Sequence, residues 1–316
     1  MPRLMVVDMN NQYLRAYIMN PTLSPNGQPI GGVVGTLKIL QKLCREINPD
    51  QIIVCWDGEG GSSKRKAMNK NYKEGRNPVR LNRDVRNLTE NEELANKIWQ
   101  QTRLAEYLNQ LPVIQLLYPQ VEADDLISYV CQHTHYADWQ KVIVSSDKDF
   151  IQLIDNKTIL FRPVQEEILN VKKVLDEYSI HPNNFVLARS ISGDSSDNIQ
   201  GIKGIGLATI AKRFPILSES GSCSIDKLKE ECEHSQGNVY TKISDNIDVI
   251  KNNYKIMQLT SPQISIQTKM QINNILGTFK PELNQMEFKK MSIEDGFGVV
   301  DLSMLFSVMK KFVFNK

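Results

Sequence analysis

Nine carboxylates, drawn from five separated places in the chain, have the types and spacing to bind metal ions: Asp8, Asp57, Glu122, Asp124, Asp125, Asp147, Asp149, Asp194 and Asp197. Glu122–Asp125 fall together in VEADDL, Asp147 and Asp149 in SSDKDF, and Asp194 and Asp197 in SGDSSDN. If they converge, each pair ~4 Å apart repels by roughly 4 kcal/mol at an effective dielectric near 20. Such a group requires hard cations as counter-charge. Carboxylate oxygens without Cys or His select Mg²⁺ or Mn²⁺. Two such ions suit activation of a water and an in-line phosphoryl displacement. Metal-dependent phosphodiester hydrolysis is the chemistry that uses most of these acids. The histidines (His133, His135, His181, His234) are expected in structural or surface roles.

The acids need elements to bring them together. Three short apolar runs, Arg3–Asp8, Gln51–Asp57 and Lys141–Asp147, each end in an aspartate. Continuous β-branched runs with helical patterns between them predict buried parallel strands. The ligand crevice of an open parallel sheet lies at the carboxyl ends of its strands, so the three aspartates should face one rim. VEADDL predicts a helix start, where the dipole favours negative charge, with Glu122 and Asp125 on one side. Asn20–Gly35, dense in Pro and Gly, predicts loop, followed by a helix over Thr36–Ile47. Glu92–Leu111 predicts a second helix with Leu94, Ile98, Ala105, Leu108 and Leu111 on one apolar face. Beyond about residue 165 helical patterns dominate, and the polar stretch Ser218–Asn238 predicts a loop.

Two further features suit a polyanion. Ser62–Arg86 holds nine basic residues against two acidic ones, a local balance of +7 that leaves −5 for the rest of a chain whose net charge is +2. A cationic segment beside an acidic metal site is what a nucleic-acid cutter requires, and Tyr72 within it could stack on an unpaired base. In NIQGIKGIGLATIAKRF, Gly201, Gly204 and Gly206 predict a tight turn between two helices. Backbone N–H groups there can bind phosphate without reading sequence, with Lys203, Lys212 and Arg213 adding charge.

Composition sets the bounds. At 316 residues, 41% hydrophobic and 23% charged, the chain is a folded protein with room for one large domain or two ordinary ones. No apolar run approaches a membrane span, and the N-terminus does not read as a signal peptide. Five cysteines without CxxC spacing argue against a disulfide framework and against zinc, and for a reducing, cytoplasmic setting.

In order along the chain, VVD with Arg15 seven residues on, SPNGQPIGGVVG, CWDG, Arg65 with Tyr72 seven residues on in YKEGR, VEADD, SSDKDFIQL and GDSSDNIQGIKGIG resemble the 5′-nuclease (flap endonuclease) superfamily. The likeness is to the 5′→3′ exonuclease domain of bacterial DNA polymerase I and to stand-alone bacteriophage 5′-nucleases of the ribonuclease H type. It covers roughly Leu4 to Phe214. It implies an α/β fold: a mostly parallel central sheet flanked by helices, a PIN-like nuclease core over 1–180 with a basic helical arch at about 60–100. A helical DNA-binding domain over 181–316 would follow, with a helix-hairpin-helix at about 190–214. It implies Asp8, Asp57, Glu122, Asp124 and Asp125 around a first Mg²⁺ and Asp147, Asp149, Asp194 and Asp197 around a second, with Mn²⁺ able to substitute. Lys73 resembles the arch lysine that contacts the scissile phosphate, and Arg76, Tyr72 and Arg65 would help admit and hold the single strand. The glycine turn would grip duplex DNA, with a K⁺ on its carbonyls.

The implied reaction is structure-specific hydrolysis of 5′-ended, flapped or nicked DNA, and of RNA primers on DNA, in replication and repair. Met9 and Trp56 depart from the family pattern without removing a ligand. The chain ends at Lys316 without a polymerase, so a stand-alone enzyme is expected. LSMLFSVMKKFVF is read first as a packed terminal element and second as a docking site for a sliding clamp or single-strand-binding protein. The competing readings are a non-cleaving junction-binding protein of the same fold and, ranked last, a toxin-like RNA nuclease.

Overall fold

RLMVVD, QIIVC and QKVIV are apolar on both sides of the chain, and each is buried along nearly its whole length, as strands covered on two faces must be. They are β1 (Arg3–Asp8), β2 (Gln51–Cys55) and β4 (Gln140–Val144) of a six-stranded sheet in the computed structural model, which describes residues 1–75, 80–81, 88–298 and 300–314. With β3 (Ile114–Leu116), β5 (Thr158–Arg162) and β6 (Glu167–Leu169) the order is β3-β2-β1-β4-β5-β6. All neighbours run parallel except β6, which is antiparallel to β5. The strand order reverses beside β1, which places the crevice of the sheet at Asp8.

Alternate residues of β1 face opposite layers. Leu4 and Val6 join a core with α5 (Ala123–Cys131), α7 (Pro182–Ser192) and α11 (Ile247–Met257). Met5 and Val7 join another with α1 (Met9–Met19), α2 (Gly31–Ile47) and α4 (Glu90–Leu108). A short α3 (Ser63–Met68) stands near the rim, and α6 (Val171–Tyr178), α8 (Leu207–Arg213), α9 (Ile225–His234), α10 (Asn238–Asp245), α12 (Ile266–Thr278) and α13 (Gln285–Glu294) complete the helical half. The first core holds Ile143 and Leu160 of the sheet together with Phe185, Ile210 and Phe214, so it runs without a break across residue 180. The terminal LSMLFSVMKKFVF forms α14 (Ser303–Phe314) and buries Leu305, Phe306 and Met309 in the second core, alongside α2.

Three local expectations change. The glycine-rich stretch before Thr36 is helix from Gly31, because α1 and α2 pack too closely for side chains there. A Cβ on Gly32 would meet Gln100 and Tyr13 at 2.8 Å. Gly32→Ala should therefore cost about 1–3 kcal/mol through overpacking, read as a lower urea midpoint at unchanged slope. The buried face of α4 is amide as well as apolar: Leu94 and Ile98 are more than half exposed, while Asn96 and Gln100 are buried. Gln100 Oε1 accepts from the free N–H of Val33 in the first turn of α2 at 3.1 Å, and Asn96 Nδ2 donates to Pro29 O at 3.0 Å. Ser218–Asn238 contains α9, capped by Ser224 and anchored by buried Leu228 and Cys232, rather than loop throughout.

Candidate active site

The carboxyl ends of β1, β2 and β4 deliver Asp8, Asp57 and Asp147 to one rim. Asp8 caps α1, accepting from Asn11 N at 3.0 Å, and Ser145 Oγ donates to its other oxygen at 2.9 Å. Asp57 accepts from Ala123 N at the start of α5 and from Asn10 Nδ2, at 2.9 and 2.8 Å. Asp57 thereby fixes the N-terminus of α5, the helix that carries Asp124 and Asp125 and has Glu122 at its cap. Asp147 accepts from Asp149 N at 2.8 Å in a 3₁₀ turn.

The acids separate by their counter-charge. Arg65, which the family resemblance placed among strand-holding residues, is 3% exposed. It donates to both oxygens of Asp125 at 2.8 and 3.2 Å, to Glu122, and to Ile256 O at 3.0 Å. Gln263 N also donates to Asp125, at 2.9 Å. Lys73 reaches the other oxygen of Glu122 at 2.5 Å. Against burial, Lys73 and Arg65 together hold the Glu122 carboxyl below its ordinary value. Tyr72 is likewise buried, packed with Val186, Ile199, Ile256 and Met257, and its hydroxyl is 3.5 Å from Glu122. Neither Arg65 nor Tyr72 presents a surface to a strand. A local charge run cannot show that α3 turns its Arg65 inward.

In a second set burial outweighs the compensation that nearby cations provide. Asp8 is pushed up to about 7 by burial, with the charges of Asp57 and Asp147 adding to it. Asp124 is raised well above its ordinary value by burial, partly offset by Lys73 and reinforced by Asp147, Asp8 and Glu122. Asp147 is raised by desolvation in the crevice and by Asp197 and Asp194. Asp149 is pushed up to about 7 by desolvation and by Asp147, with Arg189 opposing. Among the described residues, no three of Asp, Glu, His and Cys converge closely enough as they stand to hold one ion. The donor chemistry nevertheless fits a hard divalent cation: oxygen only, strongly anionic, and destabilised by mutual repulsion until a cation arrives.

Asp194 and Asp197 follow α7 on a two-stranded hairpin, β7 (Gly193–Asp194) with β8 (Ile199–Gln200). Lys73, at a left-handed φ of +56°, donates its backbone N–H to Asp197 O at 3.0 Å, which ties the segment after α3 to this hairpin. Arg189 on α7, which sequence reasoning missed, pairs with Asp149 and Asp194. A lone arginine in a helix gives no local signal for that role.

The glycine turn Gly201–Gly206 lies between β8 and α8, with Lys203, Gly204, Gly206, Lys212 and Arg213 exposed and Ile202 and Ile205 buried beneath. Gly204 has φ +83°, and a Cβ on Gly201 would meet the backbone of Ser192 at 2.1 Å. Arg76, and Arg83 and Arg86 of the basic run, lie outside the described residues. Of the histidines, His133 bonds Asn273 at 2.9 Å and His181 caps α7. Trp56 lines a cavity of about 440 Å³ beside Asp57 and donates to Gln115 at 3.1 Å.

Residues 3–179 match the family described as 5′-3′ exonuclease, N-terminal resolvase-like domain. The 5′-3′ exonuclease of Buchnera aphidicola subsp. Schizaphis graminum is 27% identical over 295 residues, 92% of this chain and 94% of that protein. The flap endonuclease Xni of Shewanella sp. is 32% identical over 199 residues, 60% of this chain and 70% of its own. The fold is shared with the bacteriophage T5 D15 flap endonuclease, solved as a pseudo-enzyme–product complex with DNA and metal ions. That match has a TM-score of 0.63 at 17% identity, covering 98% of this chain and 99% of the other.

Proposed function

This chain belongs to the 5′-3′ exonuclease family and is a 5′ nuclease acting on DNA, and from that premise we propose that its rim of carboxylates is a magnesium centre that cuts 5′-flapped, nicked and 5′-ended strands. The observation that carries the reading is the gathering of Asp8, at the end of β1, and Asp147, after β4, with Asp124 in the first turn of α5, where burial and mutual repulsion raise all three carboxyls.

Asp8, Asp57, Asp124 and Asp147 are the residues that would hold the first ion, with Glu122 at its edge. Asp149, Asp194 and Asp197 would hold the second, and Mn²⁺ would serve in place of Mg²⁺. Bound there, the ions supply counter-charge and polarise the scissile phosphodiester. The protein groups do the remainder. Asn10 and Ala123 N fix the carboxylate of Asp57, and Asn11 N and Ser145 that of Asp8, by hydrogen bonds to both oxygens. Asp125 acts through Arg65, which anchors α3 and so positions Lys73. The Lys73 ammonium stands at the border of the acids, where it would meet the negative charge that grows on a phosphate under attack. Lys73→Ala should slow single-turnover cleavage about a hundredfold while changing flap affinity far less. An unchanged single-turnover rate would refute the assignment. Arg76 is assigned to the same phosphate on family resemblance.

The exposed turn Gly201–Gly206 with Lys203, Lys212 and Arg213 is assigned to duplex phosphates as a helix-hairpin-helix, and its carbonyls to a K⁺. Lys203→Ala should weaken duplex binding and flatten the slope of log K against log salt by about one unit per lost phosphate contact. An unaltered slope would make the turn purely structural. RNA primers on DNA are included among the substrates on family resemblance. The division at about residue 180 into a nuclease part (1–180) and a helical DNA-binding part (181–316) is one of function, since the hydrophobic core crosses it and α14 packs beside α2. The reading as a whole is tested by stripping the protein with EDTA, which should abolish cleavage, and by restoring Mg²⁺, which should recover it.

A further inference from the structure

We propose that Arg189 is a positioning residue that sets the order of metal loading, a proposal that rests on the magnesium reading above. Arg189 lies on α7, five residues before Asp194, and its side chain is 13% exposed. Its Nε and Nη2 donate to Asp149 Oδ1 at 3.3 and 3.2 Å, Nη2 also donates to Asp194, and Nη1 donates to Gly193 O at 3.4 Å. The guanidinium therefore occupies the charge of the second group of acids, on a crevice of about 400 Å³ lined also by Asn11, Ser146, Asp147 and Lys148.

The first group is different. Among the described residues, the carboxylates of Asp8, Asp124 and Asp147 make no ion pair. A divalent ion arriving there has no directly bonded guanidinium or ammonium to displace, since Lys73 acts on Asp124 and Arg189 on Asp147 only through space. A divalent ion arriving at Asp149 and Asp194 must first displace a guanidinium that holds both. The first site therefore fills tightly in the free protein and the second fills weakly. Occupancy of the second rises when Arg189 is drawn off, and the anion with the right geometry to draw it is a phosphate of the bound strand, which accepts two parallel N–H bonds from a guanidinium. Arg189 thereby couples the second ion to the arrival of DNA.

The test is Mn²⁺ titration of the full-length, DNA-free protein by calorimetry, with bound ions counted by electron paramagnetic resonance. Wild type should show one tight and one weak class of site. Arg189→Gln should tighten the weak class at least tenfold, and Arg189→Lys, which keeps the charge, should leave it weak and serves as a folding control. A weak class unchanged or weakened in Arg189→Gln would overturn the proposal, as would two equally tight sites in wild type. Asp124→Asn should lose the tight class. Wild type that binds no Mn²⁺, or a tight class that survives in Asp124→Asn, would overturn the magnesium reading and this proposal with it.

Discussion

Asp124→Asn should lower Mg²⁺-dependent cleavage about a thousandfold, equivalent to about 4 kcal/mol of transition-state stabilisation, while raising the melting temperature of the metal-free protein. Both effects have one origin. Asp124 opens α5 with its carboxylate among Asp8, Asp147 and Glu122, and burial raises it well above the ordinary carboxylate range. A carboxyl whose folded pKa is raised contributes stability that is complete below its unfolded value and is lost as pH rises through the folded one. With Asp8 and Asp149 moved from 3.8 to about 7, the metal-free protein should lose stability across that window. It should melt higher at pH 6 than at pH 8. Asparagine at 124 removes one of the repelling charges, so the variant should melt higher at pH 8 and lose less on going from pH 6. Added Mg²⁺ should stabilise wild type and leave the variant nearly unmoved. Scanning calorimetry at the two pH values, with and without Mg²⁺, reads all of this. A variant that cleaves at the wild-type rate, or melts lower without metal, contradicts the account.

The second large effect is structural. Arg65→Met should destabilise the fold by about 3–5 kcal/mol, because it leaves two buried carboxylates, Glu122 and Asp125, without their guanidinium. Arg65 ties α3 to α5 and to the carbonyl of Ile256 at the end of α11, so its loss also frees the segment that carries Lys73. Arg65→Lys keeps one charge but not the two-pronged geometry and should fall between. Urea unfolding with an unchanged slope measures the loss. A change below about 1 kcal/mol accompanied by weakened single-strand binding would instead restore Arg65 to the strand-holding role that the family resemblance implied.

What was legible in the sequence was whatever rests on local order. Asp8, Asp57 and Asp147 were readable because a buried parallel strand and a rim aspartate both leave short-range marks, and VEADDL because a helix start favours acids. The fate of Arg65 and Tyr72 was not readable. Nothing in KRKAMNKNYK distinguishes a side chain turned into the protein from its neighbours turned to solvent, since the partners Glu122, Asp125 and Ile256 are remote in sequence. The exposure of Leu94 and Ile98 on a helix whose Leu108 is buried has a similar cause. Leu94 and Ile98 follow helical spacing, but the tertiary contact is made by Asn96 and Gln100, which satisfy the free N-terminus of α2 and the carbonyl of Pro29. The early start of α2 reflects packing against α1 that outweighs glycine's poor helix propensity. The role of Arg189 depends on the packing of α7 against the 3₁₀ turn at Asp149, a contact between segments remote in sequence.

The central claim is that this rim of acids, charged with Mg²⁺, cuts a strand by its 5′ structure. It is tested most directly by incubating the protein with matched 5′-flap, nicked, RNA-primed, 3′-flap and intact duplex substrates, with Mg²⁺ or with EDTA, and mapping the product ends. The account predicts Mg²⁺-dependent cleavage of the flapped, nicked and primed strands near the junction or 5′ end, leaving 5′-phosphates, with the 3′-flap and intact duplex spared. Cleavage that persists in EDTA, or that falls equally on every substrate, would contradict it.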